Sequence, residues 1–190
     1  MRSRGAVQER VTFLGKFLQA PLKIGSVTPS SPWLVEAMLA PIAWESTQAI
    51  AELGVGTGIV TREIAKRLPQ GAKAFLFEQD AGLRAALQEE YPGFTVEAYA
   101  EQLYTVITSA GLKQVDYVVS GLPFTTLPER TRQAVMGGIL KALKPGGLFI
   151  AFQYSLHMRE RFRSQFEDVT IRYVPLNIPP AFVYCCRRSS

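Results

Sequence analysis

A glycine-rich turn directly after an apolar run is the feature of this sequence with the clearest chemical potential. The run ends in Glu52, and Gly54, Gly56 and Gly58 follow at alternate positions before a helical pattern begins. Glycine permits a sharp turn and a close approach of a ligand to the backbone. The spacing departs from the G-x-G-x-x-G of dinucleotide-binding turns, and a carboxylate just before the turn would repel a pyrophosphate. The pattern favours a ligand with a cationic end, unless the glycines form only an ordinary strand–helix turn.

A second acid, Glu78, ends the next apolar run, twenty residues beyond Gly58. In nucleotide-binding α/β units an acid at the end of the second strand accepts hydrogen bonds from both ribose hydroxyls. We therefore predict that Glu78 is a ribose ligand and that Asp80 caps the helix that follows.

Together these two motifs resemble those of class I S-adenosylmethionine-dependent methyltransferases, in which the glycine loop cradles the amino-acid end of the cofactor. The resemblance implies an α/β, Rossmann-like fold with a mostly parallel seven-stranded sheet flanked by helices, whose last strand is inserted antiparallel. It also implies S-adenosylmethionine as cofactor and S-adenosylhomocysteine as product. The residues predicted around the cofactor are Glu52, Leu53, Gly54, Gly56, Thr57, Gly58, Thr61, Glu78, Gln79, Tyr99, Ala100 and Ser120.

The end of the third predicted strand, residues 94–98, departs from the family pattern. Methyltransferases of this type usually place Gly-Asp there, and the aspartate contacts the adenine amine. This sequence continues with Tyr99, Ala100 and Glu101. Tyr99 could stack on the adenine, Glu101 could replace the aspartate, or neither side chain contacts the cofactor.

The turn after the fourth predicted strand, Ser-Gly-Leu-Pro-Phe at 120–124, resembles the version found in phospholipid methyltransferases. Methyl transfer to nitrogen is an in-line displacement, so hydrogen-bond acceptors must orient the nitrogen lone pair toward the methyl group. We predict that Ser120 and the carbonyls of Gly121 and Leu122 do this. The alternative is a tight turn that requires glycine and proline for its shape alone.

The segment after the fifth predicted strand carries candidate proton acceptors and cations. A substrate ammonium must lose a proton before it attacks, and Tyr154, His157 or a water could receive that proton. Arg159 and Arg163, with Arg161 between them, could clamp a lipid phosphate through their planar donor groups. The alternative for the histidine and the arginines is a solvated surface.

Residues 1–28 form a basic N-terminal segment with a helix predicted over residues 6–19. Apolar side chains recur there at helical spacing, and five Lys and Arg residues stand against one Glu. A basic amphipathic helix with aromatic side chains suits a lipid interface, whereas packing on the protein core is the alternative. The predicted membrane contacts are Phe13, Lys16, Phe17 and Lys23.

Composition limits the classes of protein to consider. A chain of 190 residues is most simply one domain, here placed at residues 29–190. No apolar run approaches the roughly 20 residues of a membrane span, and no secretory signal is recognised, so a cytoplasmic location is predicted. Cys185 and Cys186 are expected to be thiols, and one histidine with two cysteines predicts no metal site. The net charge of +5 favours an anionic partner.

The rest of the pattern predicts the elements that position these groups. Ser31 and Pro32 provide an N-cap and a first helical residue for a helix that runs to about Ile42. A Lys-Pro-Gly-Gly turn at 144–147 precedes a strand at 148–153. Residues 169–174 and 175–184 are predicted to form a hairpin of the last two strands, with a proline-rich connection between them.

A narrower resemblance, to bacterial phospholipid N-methyltransferases, is carried by Pro-Leu-Lys-Ile-Gly-Ser-Val at 21–27 and Asn-x-Pro-Pro-Ala at 177–181. It implies methylation of the amine of phosphatidylethanolamine, successively toward phosphatidylcholine, by a monomer bound peripherally to the inner face of the cell membrane. An RNA adenine N6-methyltransferase is one alternative, although Ser120 in place of asparagine and the lack of a separate RNA-binding domain make nucleic acid an unlikely partner. A non-catalytic lipid-binding protein that retained the fold is the other.

Overall fold

The computed structural model describes residues 30–190, which form one seven-stranded sheet with helices packed on both faces. The predicted helix over residues 6–19 and the predicted membrane contacts Phe13, Lys16, Phe17 and Lys23 lie outside the described residues.

The elements follow one another in alternation along the described chain. The strands are β1 (Ala49–Leu53), β2 (Lys73–Phe77), β3 (Thr95–Glu97), β4 (Val115–Ser120), β5 (Leu143–Gln153), β6 (Asp168–Val174) and β7 (Ala181–Arg187). The α-helices are α1 (Pro32–Leu39), α2 (Ile59–Arg67), α3 (Ala81–Glu90), α4 (Leu103–Ser109), α5 (Glu129–Ala142) and α6 (Arg159–Arg163). Short 3₁₀ turns lie at Trp44–Ser46 and Ala100–Gln102.

The strand order is β3-β2-β1-β4-β5-β7-β6, with β1 to β5 parallel and β7 antiparallel to both of its neighbours. This confirms the predicted fold, including the inserted last strand. The chain leaves β1 toward β2 and β3, and leaves β4 toward β5. The order therefore reverses between β1 and β4, which is where ligands bind in open α/β sheets. The glycine turn and the 120–124 turn lie side by side at that point.

Both faces of the sheet are buried under apolar side chains. On one face Phe124, Phe149 and Phe162 meet edge to face, at centroid distances of 5.5–5.8 Å. On the other face α1 packs Leu34 and Met38 into a separate cluster of strand side chains. Successive strand residues point to opposite faces of the sheet. Because both faces are buried, the strand sequences are continuously apolar.

Asp116 stabilises the sheet at the amino ends of β1 and β4, the end that lies away from the glycine turn. Its carboxylate accepts hydrogen bonds from the backbone N–H groups of Gln48 (2.7 Å) and Ala49 (2.8 Å) and pairs with Lys144. Burial raises the pKa of Asp116, but Lys144 and the two N–H donors outweigh it, so the net pKa lies below its usual value. The start of β1 is thereby tied to β4.

Two predicted boundaries were wrong. Strand β5 begins at Leu143, which pairs with Val115, and the predicted turn at 144–147 is an irregularity inside the strand before the pairing of Tyr117 with Leu148. Gly147 fits there because a Cβ would lie 2.8 Å from the Asp116 carbonyl. Helix α1 ends at Leu39, not near Ile42. Ala40 still has helical backbone angles, but the proline at 41 has no N–H to donate to the Ala37 carbonyl, so the helix does not continue.

Candidate active site

The glycine turn has the backbone geometry that only glycine adopts readily. Gly54, Gly56 and Gly58 have φ of 72°, 59° and 73°, in the left-handed region. The N–H groups of Gly54 and Val55 donate to the Phe77 carbonyl, which joins the turn to β2. No atom lies within 4 Å of the position of a Cβ on Gly56. This side of the turn is open to a ligand.

Glu52 is a buried carboxyl group under the glycine turn. It is 3% exposed, and its Oε2 accepts a 2.6 Å hydrogen bond from the Thr61 hydroxyl in the first turn of α2. Burial raises its pKa to about 8, although the Thr61 hydrogen bond lowers it; the nearby charge of Glu78 raises it further. The group can accept a hydrogen bond from a cationic ligand, which would favour its ionised form.

Glu78 links the glycine turn to the loop after β2. Its Oε2 accepts a 2.7 Å hydrogen bond from Gly56 N–H, and its Oε1 accepts a 2.9 Å bond from Asp80 N–H. Each carboxylate oxygen retains a second lone pair, so both can still accept from a ribose. Asp80 caps α3 through Leu83 N–H at 2.9 Å, as predicted.

A narrow cavity lies beside the glycine turn, between the ends of β2 and β3 and the start of α5. Two buried side-chain oxygens in it, Gln79 Oε1 and Thr131 Oγ1, have no hydrogen-bond partner in the described structure. Ala100 and Glu101 line the cavity, but Tyr99 does not, and its side chain is exposed. The cavity is lined by Gly54, Phe77, Gln79, Ala98, Ala100, Glu101, Leu122, Leu127, Thr131 and Val135.

This cavity has the lining of a ligand site but not the room for a large ligand. Apolar side chains form most of its walls, and two oxygens without partners are the kind of group that a ligand satisfies. Its volume of about 20 Å³ holds roughly one water, so an adenine ring would enter only after the surrounding side chains move apart.

The turn after β4 packs tightly against the glycine turn. A Cβ on Gly121 would lie 2.9 Å from the Gly54 carbonyl. The Ser120 hydroxyl is fully buried, accepts a hydrogen bond from Leu122 N–H at 3.1 Å and lies 3.5 Å from the Leu53 carbonyl. The serine hydroxyl is therefore engaged by the backbone that forms the turn.

Gln153, at the end of β5, is a site residue that sequence reasoning missed. Its side chain is buried, and Nε2 donates to the Leu122 carbonyl at 2.9 Å and to the Phe152 carbonyl at 2.5 Å. Gln153 thus holds one of the carbonyls predicted to position the nitrogen. The available signal was its place as a polar residue ending an apolar strand, as Glu52 and Glu78 do.

The segment between β5 and α6 carries the predicted proton acceptors. His157 Nδ1 lies 2.8 Å from the Ser155 hydroxyl, and Tyr184 donates to the Ser155 carbonyl at 3.0 Å, which anchors the segment to β7. Burial raises the pKa of Tyr154, although a hydrogen bond with Asn177 lowers it. This segment directly follows Gln153 and so lies at the same edge of the sheet as the two turns.

The predicted lipid-clamping arginines lie on α6. Arg159 and Arg163 both approach Glu160, at 3.8 and 3.6 Å, and the side chains of both arginines are nearly half exposed. Arg161 instead pairs with Glu129 at 3.0 Å, away from them on α5. The two predicted arginines remain accessible to an anion.

The sequence profile of the methyltransferase domain family matches residues 50–147, which include both acids, the glycine turn and the 120–124 turn. The chain belongs to this methyltransferase family. The match confirms the predicted cofactor, S-adenosylmethionine. The open glycine turn and the carboxyl groups of Glu52 and Glu78 are chemically suited to its cationic and ribose parts.

Comparisons with individual proteins agree with this assignment. The chain is 34% identical over 180 residues to the ornithine lipid N-methyltransferase of Singulisphaera acidiphila, which covers 92% of this chain and 94% of that protein.

Two solved structures share the fold. The Burkholderia thailandensis 1,6-didemethyltoxoflavin-N1-methyltransferase, solved with bound 1,6-didemethyltoxoflavin and S-adenosylhomocysteine, has a TM-score of 0.71 at 14% identity. The match covers 96% of this chain and 90% of that one. The Geobacter metallireducens precorrin-6y C5,15-methyltransferase has a TM-score of 0.62 at 14% identity, and the match covers 82% of this chain and 87% of that one.

Residues 30–190 contain neither a side-chain cluster suited to a metal nor a membrane-spanning helix. No group of three or more His, Cys, Asp and Glu side chains there could hold a metal ion. No helix in that part of the chain combines the length and the apolar character needed to cross a bilayer.

Proposed function

We propose that this methyltransferase transfers methyl groups to the primary amine of a membrane lipid. The observation that carries the proposal is the 34% identity, across nearly the whole of both chains, to an enzyme named for N-methylation of an amino lipid. The sequence motifs that resemble phospholipid N-methyltransferases support the same class of acceptor.

The residues around the glycine turn would bind and orient the cofactor, which when bound supplies an electrophilic methyl group on a sulfonium. Glu52 would accept from the cationic amino-acid end, and the open face of Gly56 leaves room for that end. Glu78 would accept from the ribose hydroxyls. Once the cavity widens to admit the ring, Gln79 Oε1 and Thr131 Oγ1 would meet the polar edge of the adenine in place of the family's aspartate.

The turn after β4 would orient the acceptor nitrogen. The carbonyls of Gly121 and Leu122 are the predicted acceptors of its N–H groups. The Leu122 carbonyl already accepts from Gln153 Nε2 and Phe124 N–H, which fix the turn and leave the Gly121 carbonyl as the better acceptor for the nitrogen. Ser120 would act as a positioning residue, because its hydroxyl is bonded to the turn.

His157 or a water, at the next segment of chain, would receive the proton that the lipid ammonium loses. Tyr154 is not suited to this role, because burial raises its pKa and keeps the phenol protonated.

Two lipid headgroups carry the groups that this end of the sheet could bind, a primary ammonium and an anion. In phosphatidylethanolamine a primary ammonium stands near a phosphate, and in an ornithine lipid it stands near a carboxylate. Arg159 and Arg163 would bind either anion. The family-specific motifs favour phosphatidylethanolamine, while the identified relative favours the ornithine lipid.

The enzyme would act as a peripheral protein at the inner face of the cell membrane, with residues 1–28 as a reversible basic anchor. The cations of that segment should make binding stronger on anionic vesicles and weaker at high salt.

The test is methyl transfer from labelled S-adenosylmethionine to three acceptors in parallel: phosphatidylethanolamine vesicles, ornithine lipid vesicles and ribosomal RNA. Label in either lipid, strongly reduced in Glu52→Gln, is the expected result, and the preferred lipid identifies the headgroup. The Thr105→Val variant, exposed on α4, serves as the control and should retain full activity. Label in RNA alone would overturn the lipid assignment, and label in none would overturn it for both headgroups.

A further inference from the structure

Five large apolar side chains are exposed at the edge of the sheet that carries the site. They come from the start of α1, the β5–α6 segment and the β6–β7 connection. Their exposed fractions are 62% for Trp33, 48% for Tyr154, 44% for Leu156, 59% for Leu176 and 65% for Ile178. We refer to these five side chains as the apolar rim.

Asn177 joins two of the three segments of the apolar rim, the start of α1 and the β6–β7 connection. Its Oδ1 accepts a 3.0 Å hydrogen bond from Ser31 N–H at the start of α1, and its Nδ2 donates to the Pro179 carbonyl at 2.7 Å. Because β5 and β6 both run antiparallel to β7, their ends lie at one edge of the sheet. The apolar rim is therefore continuous with the edge at which β1 and β4 end.

The β6–β7 connection inverts the usual surface pattern. The amide of Asn177 is buried, with 3% exposure, whereas the aliphatic side chains on either side of it, Leu176 and Ile178, are among the most exposed apolar groups. Polar groups normally face water and aliphatic groups the interior. Clustered exposed apolar side chains at a site edge indicate an interaction surface.

The composition of the apolar rim and its surroundings fits a lipid interface. Trp and Tyr prefer the boundary between headgroups and acyl chains, where one end of the ring is apolar and the other wet. The accessible Arg159 and Arg163 follow the rim on α6, and the sequence before Ser30 carries five Lys and Arg against one Glu. Apolar side chains flanked by cations match an anionic bilayer.

We propose that the apolar rim inserts into the interfacial region of a lipid bilayer and so brings the carboxyl edge of the sheet to the lipid headgroups. This inference rests on the proposed function, because it gives the lipid amine a direct route to the turn at 120–124. The acyl chains would remain in the bilayer beside the rim while the headgroup enters the site.

Trp33 provides the first test, because Trp33 and Trp44 are the two tryptophans of the chain. In full-length Trp44→Phe protein, emission comes from Trp33 alone. Vesicles of phosphatidylcholine and phosphatidylglycerol, which contain no primary amine, should shift that emission to shorter wavelength, and brominated acyl chains should quench it. An unchanged spectrum would overturn the proposal. Emission that is already at short wavelength without vesicles would overturn the proposal, because another part of the chain would then cover Trp33. A shift without lipid that depends on protein concentration would also overturn it, because a second copy of the chain would then cover Trp33.

Substitution of the leucines provides the second test. Leu156→Ser with Leu176→Ser should weaken cosedimentation with the same vesicles about tenfold or more, since each loses most of an aliphatic side chain from the interface. Tyr104→Ser is the control: Tyr104 is 39% exposed on α4, which follows β3 at the opposite side of the sheet. Equal vesicle binding of the leucine variant and the control would contradict the proposal.

A water-soluble acceptor separates this inference from the proposed function. The double leucine variant should methylate short-chain, monomeric phosphatidylethanolamine or ornithine lipid with unchanged kcat/KM, and lose activity only on vesicles. If the protein methylates the soluble lipid but its vesicle binding does not depend on the apolar rim, the membrane-insertion proposal is wrong and the proposed function stands. If vesicle binding depends on the rim but no lipid amine is methylated, the proposed function is wrong and the insertion proposal stands.

Discussion

Glu52 and Thr61 share a 2.6 Å hydrogen bond inside the protein, between the end of β1 and the first turn of α2. The bond lowers the pKa of Glu52, but burial outweighs it and raises that pKa from 4.5 to about 8. At pH values between 4.5 and about 8, Glu52 is protonated in the folded protein and ionised in the unfolded chain. The resulting stabilisation is present at acidic pH and is lost as the pH rises through about 8.

We expect Glu52→Gln to remove this pH dependence. The free energy of unfolding of the native sequence should fall between pH 5 and pH 8 relative to that of the variant, by at most about 1.4 kcal/mol per pH unit. Urea denaturation without cofactor at several pH values measures the difference. Parallel stability–pH curves for the two proteins would show that Glu52 is already ionised in the native state.

The same carboxyl group should couple cofactor binding to protons. If the cationic end of the cofactor selects ionised Glu52, binding releases a proton, and the affinity for S-adenosylhomocysteine should rise between pH 6 and pH 7.5. In Glu52→Gln binding should be weaker and nearly independent of pH over that range. Calorimetry in two buffers with different ionisation enthalpies counts the protons released, and no release from the native sequence would contradict the coupling.

Sequence reasoning identified the site residues that follow from local patterns. It missed those whose role depends on contacts between residues far apart in the sequence. The glycine turn and the acids Glu52 and Glu78 follow from local rules, because positive φ favours glycine and strand ends carry ligands in this fold. The contact of Gln153 with Leu122 spans 31 positions, and that of Asn177 with Ser31 spans 146. No local pattern specifies such pairs.

The sequence also could not predict which way a polar side chain points. Ser120 stands at the predicted position, but its hydroxyl faces the backbone of its own turn. Thr131 lies in the first turn of α5, where its hydroxyl becomes a cavity oxygen only because α5 packs beside the end of β3. Both outcomes depend on tertiary packing.

Thr131→Val should separate stability from cofactor affinity. The substitution keeps the shape of the side chain and removes a buried hydroxyl without a partner, so the unfolding free energy without cofactor should stay equal or rise by about 1 kcal/mol. Affinity for S-adenosylhomocysteine should fall about fivefold to tenfold, the worth of one hydrogen bond. Thr105→Val, exposed on α4, is the matched control for both measurements. Unchanged affinity in Thr131→Val would remove Thr131 from the adenine site.

Gly121→Ala should destabilise the protein and weaken cofactor binding together. Its Cβ would lie 2.9 Å from the Gly54 carbonyl, a backbone atom that cannot move without distorting the glycine turn. We expect a loss of about 1–3 kcal/mol in unfolding free energy, typical of overpacking.

Gly137→Ala is the control for this strain. No atom lies within 4 Å of its added Cβ, and the residue is inside α5, so the substitution should stabilise the protein by about 0.5–1 kcal/mol. Thermal unfolding with and without S-adenosylhomocysteine measures both variants. Equal midpoints for the two would contradict the close approach of the β1 and β4 turns.

Gln153→Leu should lower the rate of methyl transfer with little effect on cofactor binding. The change removes the amide that holds the Leu122 carbonyl and leaves the volume nearly constant, so the turn would lose its fixed orientation toward the acceptor nitrogen. We expect kcat to fall about tenfold to a hundredfold, since small displacements of positioning groups are costly in displacement reactions. Gln165→Leu, an exposed glutamine after α6, is the control. If cofactor affinity and kcat fall in parallel in Gln153→Leu, the residue acts through the fold of the site and not through the orientation of the Leu122 carbonyl.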